Sequence, residues 1–167
     1  ENNDVLANND ETAGTAGIEV RQSDDATIRA NLVQNNRLNG VYVSDADGTL
    51  VENNEIVDNC GGNVGLAVYN ANDTLVVGNN VSENTGVGIQ IGSGTDVPTE
   101  NVTLRDTTIL RNGGGGVNVY RTDDVTYDGV VVRDNAEGAG GGVTNADVVR
   151  DSVVTGNDAT GVQLDAG

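Results

Sequence analysis

Phe, Trp, Met, Lys and His are all missing from these 167 residues, and cysteine occurs once. Each absence closes off a class of structure or chemistry. Without large aromatics or thioethers, any core must be assembled from Val, Ile and Leu. Cys60 has no partner for an internal disulfide, and no imidazole exists to activate it as a nucleophile; between Asn59 and Gly61-Gly62 it reads as a small filler in a turn. No segment approaches the roughly 20 apolar residues that cross a bilayer, so no membrane span is expected. Basic residues number only eight, all Arg, against 26 Asp and Glu. Nucleic acid is excluded as a partner, because phosphate binding needs a basic footprint.

What is present is a repeat of two phrases. The first is an aliphatic residue three positions before an Asn: Val5/Asn8, Leu32/Asn35, Ile56/Asn59, Val81/Asn84, Ile109/Asn112, Val132/Asn135 and Val154/Asn157. The second is Gly followed by aliphatic, any, aliphatic, as in Gly17 to Val20, Gly40 to Val43, Gly65 to Val68, Gly88 to Ile91, Gly116 to Val119 and Gly161 to Leu164, with a degraded copy at Gly142 to Asn145. From Asn8 to Asn157 is 149 residues in six steps. The mean period of about 25 lies in the range of solenoids.

A coil of this length divides into three short strands. One carries the Gly phrase, with period two directing Ile18 and Val20, or Val117 and Val119, inward. A second is marked by Ala26 to Ile28, Thr74 to Val76 and Val102 to Leu104, and a third leads into the Asn, as at Asn79-Asn80-Val81. Strands one period apart must pair in parallel, and parallel crossovers are right-handed. The 24 Gly and abundant Asn and Asp supply the turns. Stacked Asn side chains, each both donor and acceptor, form a ladder along the axis: Asn8, Asn35, Asn59, Asn84, Asn112, Asn135 and Asn157. Asn also tolerates the left-handed backbone of a sharp corner.

With the Asn-x-x-x-Asn and Gly-Ile/Val-x-Val pattern, clearest at Asn31 to Val43 and Asn80 to Ile91, the chain resembles the right-handed parallel β-helix repeats of the pectate-lyase-like superfamily. The fold expected is all-β, a right-handed parallel β-helix solenoid of about seven coils with three short strands each. Residues 1–167 then form a single domain. At about 4.8 Å per coil it makes a rod on the order of 34 Å long. The chain starts at Glu1 within the first repeat and is expected to be a piece of a longer polypeptide.

The net charge of −18 and the absence of Lys resemble proteins of extreme halophiles, in which about 1 M salt shortens the screening length to roughly 3 Å and relieves self-repulsion. Function is expected on outward positions of the Gly-phrase strand. There the rows read Glu19, Tyr42, Ala67, Gln90, Asn118, Thr144, Gln163, and Arg21, Ser44, Tyr69, Gly92, Tyr120. Three of the four Tyr fall on this face, whereas Tyr127 aligns with Leu104 and belongs to the core or a strand end. Flat rings beside amides and guanidinium groups suit sugars, whose C–H faces stack on aromatics and whose hydroxyls need polar partners. Tyr42, Tyr69, Tyr120, Arg21, Gln90, Asn118 and Arg121 are the candidate residues, the partner a polysaccharide or surface glycan, and the location extracellular or at the cell surface. In the superfamily such a lateral face often holds the polysaccharide, which the resemblance implies for this chain.

Catalysis is less well supported. Polygalacturonase-like relatives would show Asn-Thr-Asp, Asp-Asp, Gly-His-Gly and Arg-Ile-Lys motifs; this chain has Asp-Asp at 24 to 25 and 123 to 124 without His or Lys. Pectate-lyase-like relatives hold calcium with carboxylates and use Arg as base, which keeps a calcium-assisted lyase as an alternative with Arg21 and Arg121 beside acidic turns. No cofactor is required; calcium is the cation that Asp45 and Asp47, in Asp45-Ala46-Asp47-Gly48-Thr49, would suit. Asn72, Asn80 and Asn101 each open a glycan-acceptor sequence. Another alternative is a structural shaft of a surface layer, fibre or viral spike. Open solenoid ends need covering, by flanking domains or by other copies.

Overall fold

The structure, a computed structural model, describes residues 3–6, 16–60, 64–92, 94, 98–136 and 142–164. All regular structure among them is β: twenty strands in three parallel sheets of seven, seven and six. Successive strands fall to the first, second and third sheet in rotation, so the chain makes six complete turns and two strands of a seventh. The second sheet holds the Gly-phrase strands Ala16–Arg21, Asn39–Ser44, Leu66–Tyr69, Ile89–Gly92, Val117–Tyr120, Val143–Ala146 and Val162–Leu164. No helix among the described residues is long and apolar enough to cross a membrane.

Register follows the repeat. Val33 pairs with Ile56, Ile56 with Val81, Val81 with Ile109 and Ile109 with Val132, giving one inward column. Val41, Leu66, Ile89 and Val117 make a second in the Gly-phrase sheet, and Ile28, Val51, Val76 and Leu104 a third. Almost all are fully buried. Tyr127 continues the third column above Leu104. It is completely enclosed, its hydroxyl has no hydrogen-bond partner, and burial followed by the nearby Asp147 charge pushes its ionisation well above the usual phenol range.

The Asn ladder is real but enters the second coil one residue later than the spacing predicts. Asn36, not Asn35, is the rung: its amide Nδ2 donates to Asn59 Oδ1 at 2.9 Å. The rungs continue from Asn59 to Asn84, from Asn84 to Asn112, from Asn112 to Asn135 and from Asn135 to Asn157 at 2.9–3.0 Å. Asn35 is exposed at φ 56°. The inward aliphatic of this coil is Val33, not Leu32, so the three-residue spacing holds in the shifted frame, and the adjacent Asn35-Asn36 pair hid the shift. Asn8 lies outside the described residues. The left-handed corner also belongs to the residue before each rung: Asn35, Asp58, Glu83, Arg111 and Asp134, all with φ between 52 and 59°. Rung-to-rung steps run from 22 to 28 residues, so the coil length varies while the column stays aligned.

A second buried ladder, five residues upstream, was not legible as such. Asn31 Nδ2 donates to Asn54 Oδ1 at 2.9 Å and Asn54 Nδ2 to Asn79 Oδ1 at 3.0 Å. Thr107 then takes over, accepting from the Asn79 N–H at 3.4 Å. The two repeated phrases prove to be one device. Cβ atoms added to Gly40, Gly65 and Gly88 would lie 2.8, 2.7 and 2.7 Å from Nδ2 of Asn59, Asn84 and Asn112 in the next coil. Glycine recurs there because the rung amide occupies the space a side chain would fill.

Candidate functional site

Period two, applied to the Gly-phrase sheet, turns one residue in two outward, and parallel register piles those residues into columns. Ser44 pairs with Tyr69, Tyr69 with Gly92 and Gly92 with Tyr120; Glu19, Tyr42, Ala67, Gln90 and Asn118 form the adjoining column. The structure therefore brings Tyr42, Tyr69, Tyr120, Arg21, Gln90 and Asn118 onto one face. Arg121 stands just beyond it, exposed at a left-handed corner with φ 51°, its carbonyl accepting from the Thr99 N–H at 3.1 Å.

The rings touch. Tyr42 meets Tyr69 edge to face with centroids 5.5 Å apart, and Tyr69 meets Tyr120 at 6.3 Å with planes inclined by 52°. Tyr69 and Tyr120 are two coils apart, and they reach each other because the coil between them carries Gly92. A Cβ there would lie 2.6–2.8 Å from Cζ, Cε1 and Cε2 of Tyr120, so that ring lies directly over the glycine. Burial, then the charge of Tyr120, then a side-chain hydrogen bond with Tyr120, then Tyr42, hold the Tyr69 phenol well above its ordinary ionisation. Arg21 closes one end of the row, its guanidinium carbon 4.8 Å above the Tyr42 ring and its Nε paired with Glu19. That Glu19 hydrogen bond raises the guanidinium pKa further.

Among the described residues, the outward positions from Tyr42 to Gln163 bear no charge. Ser44, Ala67 and Gly92 are buried; Tyr42, Tyr69, Gln90, Asn118 and Tyr120 are half-buried. The Thr144 hydroxyl accepts from the Val119 N–H at 3.2 Å, and Gln163 is exposed.

The acidic turns beside this face serve the stack. Asp24 Oδ1 accepts from the Asp47 N–H (3.0 Å), Asp47 Oδ1 from the Asn72 N–H (2.7 Å), and Asn72 Oδ1 from the Glu100 N–H (2.8 Å). Asp45 accepts from the Ser44 hydroxyl at 2.8 Å and from the Asn70 amide at 3.2 Å. Asp45 thus ties its coil to the next, and Asp47 ties its coil to both neighbours. Among the described residues no three His, Cys, Asp or Glu side chains are grouped as metal ligands. The three acceptor sequences are also engaged: Asn80 lies within a strand, Asn72 is held as above, and Asn101 Nδ2 donates to Asp73 Oδ1 at 2.5 Å.

Fold and face together define a right-handed parallel β-helix with an aromatic strip along one sheet. The chain belongs to the family described as right handed beta helix region, which matches residues 1–167. Among solved structures it is similar to a mutant of the periplasmic alginate epimerase AlgG (TM-score 0.76, 15% identity, covering 88% of this chain and 34% of that one). It is also similar to pectate lyase Pel9A (TM-score 0.57, 15% identity, covering 95% of this chain and 52% of that one). The chain thus spans about a third of the epimerase and about half of the lyase. No curated protein matches it.

Proposed function

We propose that this β-helix is a carbohydrate-binding domain, non-catalytic as it stands, which holds a polysaccharide on the strip of Tyr42, Tyr69 and Tyr120 and works outside the cytoplasm, at the cell surface or beyond. The observation that carries the reading is the half-buried row of three touching rings flanked by Gln90 and Asn118. Rings already fixed by one another lose little further freedom when a sugar stacks on them, and nearby amides offer both donors and acceptors to its hydroxyls. Structures of similar fold are named for alginate and pectate, and one is named as periplasmic, which supports both the ligand class and the location.

The lyase alternative fares worse. A base must be free of its proton, yet Glu19 raises the Arg21 pKa, and the carboxylates of Asp45 and Asp47 already accept hydrogen bonds from Asn70 and Asn72 of the next coil. The decisive experiment replaces Tyr42, Tyr69 and Tyr120 singly by Ala and measures retention on a glycan array in about 1 M salt, with circular dichroism reporting the fold. Loss of retention with an unchanged spectrum is the expected result. A structural shaft would lose nothing.

A further inference from the structure

The strip differs in electrical character from the rest of the molecule. In a chain of net charge −18, its outward positions from Tyr42 to Gln163 are aromatic, amide, hydroxyl, Ala or Gly. The outward rows of the third sheet, by contrast, carry Arg29, Glu52, Arg105, Asp128 and Arg150. Among the described residues, charge enters the strip only in its first strand, where Glu19 and Arg21 are bound to each other. The adjoining corners add Asp24, Asp25, Asp45, Asp47, Asp123 and Asp124 against Arg121.

A polymer with a carboxylate on every sugar would meet this arrangement badly. Each carboxylate taken from water onto a half-buried surface needs a cation or several donors in return. Arg21, at one end, would have to give up Glu19, and the acidic corners would repel the approaching chain at low salt. Uncharged hexose rings meet the opposite conditions: their C–H faces fit against Tyr42, Tyr69 and Tyr120, and their hydroxyls can exchange hydrogen bonds with Gln90 and Asn118. The three tyrosines extend over three strand spacings, about 14 Å along the axis, enough for a short run of sugars rather than one.

We infer that the strip selects a neutral polysaccharide over a uronate polymer. This rests on the carbohydrate-binding reading above and goes beyond it by naming the ligand class. Binding of neutral hexo-oligosaccharides and of uronate oligosaccharides of the same length would be compared by calorimetry on the intact chain, in about 0.1 M and about 1 M salt. The neutral ligands are expected to bind in both, and Tyr69→Ala to weaken them about tenfold. Gln90→Arg, which places a cation in the middle of the strip, is expected to bring uronate binding into range at low salt. Uronates binding as well as or better than neutral sugars to the unaltered chain would overturn the inference and leave the carbohydrate-binding reading standing. No binding of either class would remove both.

Discussion

The most informative single residues are those that break the pattern of their column. Tyr127 occupies a place that its neighbours fill with aliphatic side chains, and its hydroxyl is enclosed without a partner. An unpaired buried hydroxyl costs roughly 1–3 kcal/mol, so Tyr127→Phe is expected to stabilise the fold by about 1 kcal/mol in denaturant titrations. The same residue governs behaviour in alkali. Tyr69 and Tyr127 ionise higher in the folded chain than the value of about 10 for an unfolded tyrosine. Above pH about 10 the unfolded state therefore holds fewer protons than the folded state, and stability falls as pH rises; below that it is fully present. Tyr127→Phe should make this fall shallower, as read by unfolding midpoints across the alkaline range. Gly92 is the other exception, and its missing side chain is what lets Tyr69 meet Tyr120.

At the scale of the strand and corner, the ladders bind each turn to the next. Asn84 Oδ1 accepts from both the N–H and the Nδ2 of Asn59, each at 3.0 Å, while its own Nδ2 donates to the Ile56 carbonyl and to Asn112. Asn84→Ala is expected to cost about 3 kcal/mol, because the two Asn59 donors lose their acceptor and the Ile56 carbonyl and Asn112 Oδ1 each lose a donor. Asn35→Ala, on an exposed left-handed corner, should cost about 1 kcal/mol. Equal losses in the two variants would show that the frame of the ladder is wrong. This contrast marks the limit of what spacing alone can tell. The aliphatic columns and the Tyr row were legible because parallel register makes residues one period apart into neighbours. The rung in the second coil was not, since two Asn stand side by side and only the inward turn of Val33 decides between them. The structural duty of the acidic turns was hidden for a related reason. Among the described residues, 17 non-glycine residues have positive φ, eight of them Asp and four Asn, so a carboxylate such as Asp45, at φ 53°, also serves its corner as a short polar side chain that tolerates that backbone.

For the molecule as a whole, the dominant quantity is the charge of −18. Ion pairs such as Arg29–Glu52 at 2.7 Å and Arg150–Asp128 at 2.8 Å link neighbouring coils, but eight Arg cannot balance 26 acids. We expect the melting temperature to rise steadily as salt increases from about 0.1 M to about 1 M, and a neutral osmolyte of equal osmolality to give a smaller gain. A melting temperature indifferent to salt would remove the case for a halophilic habitat.

Rung amides bond to the coils directly above and below, to their rungs and to backbone carbonyls, so no coil depends on a distant part of the chain for its place. Length is accordingly a free parameter for such an architecture. A descendant could gain or shed a whole turn at a gene's repeat boundary without having to solve its interior again. Shedding the turn that carries Gly92 would set Tyr69 directly beneath Tyr120 and shorten the aromatic track by one step, leaving both ends of the rod otherwise as they were.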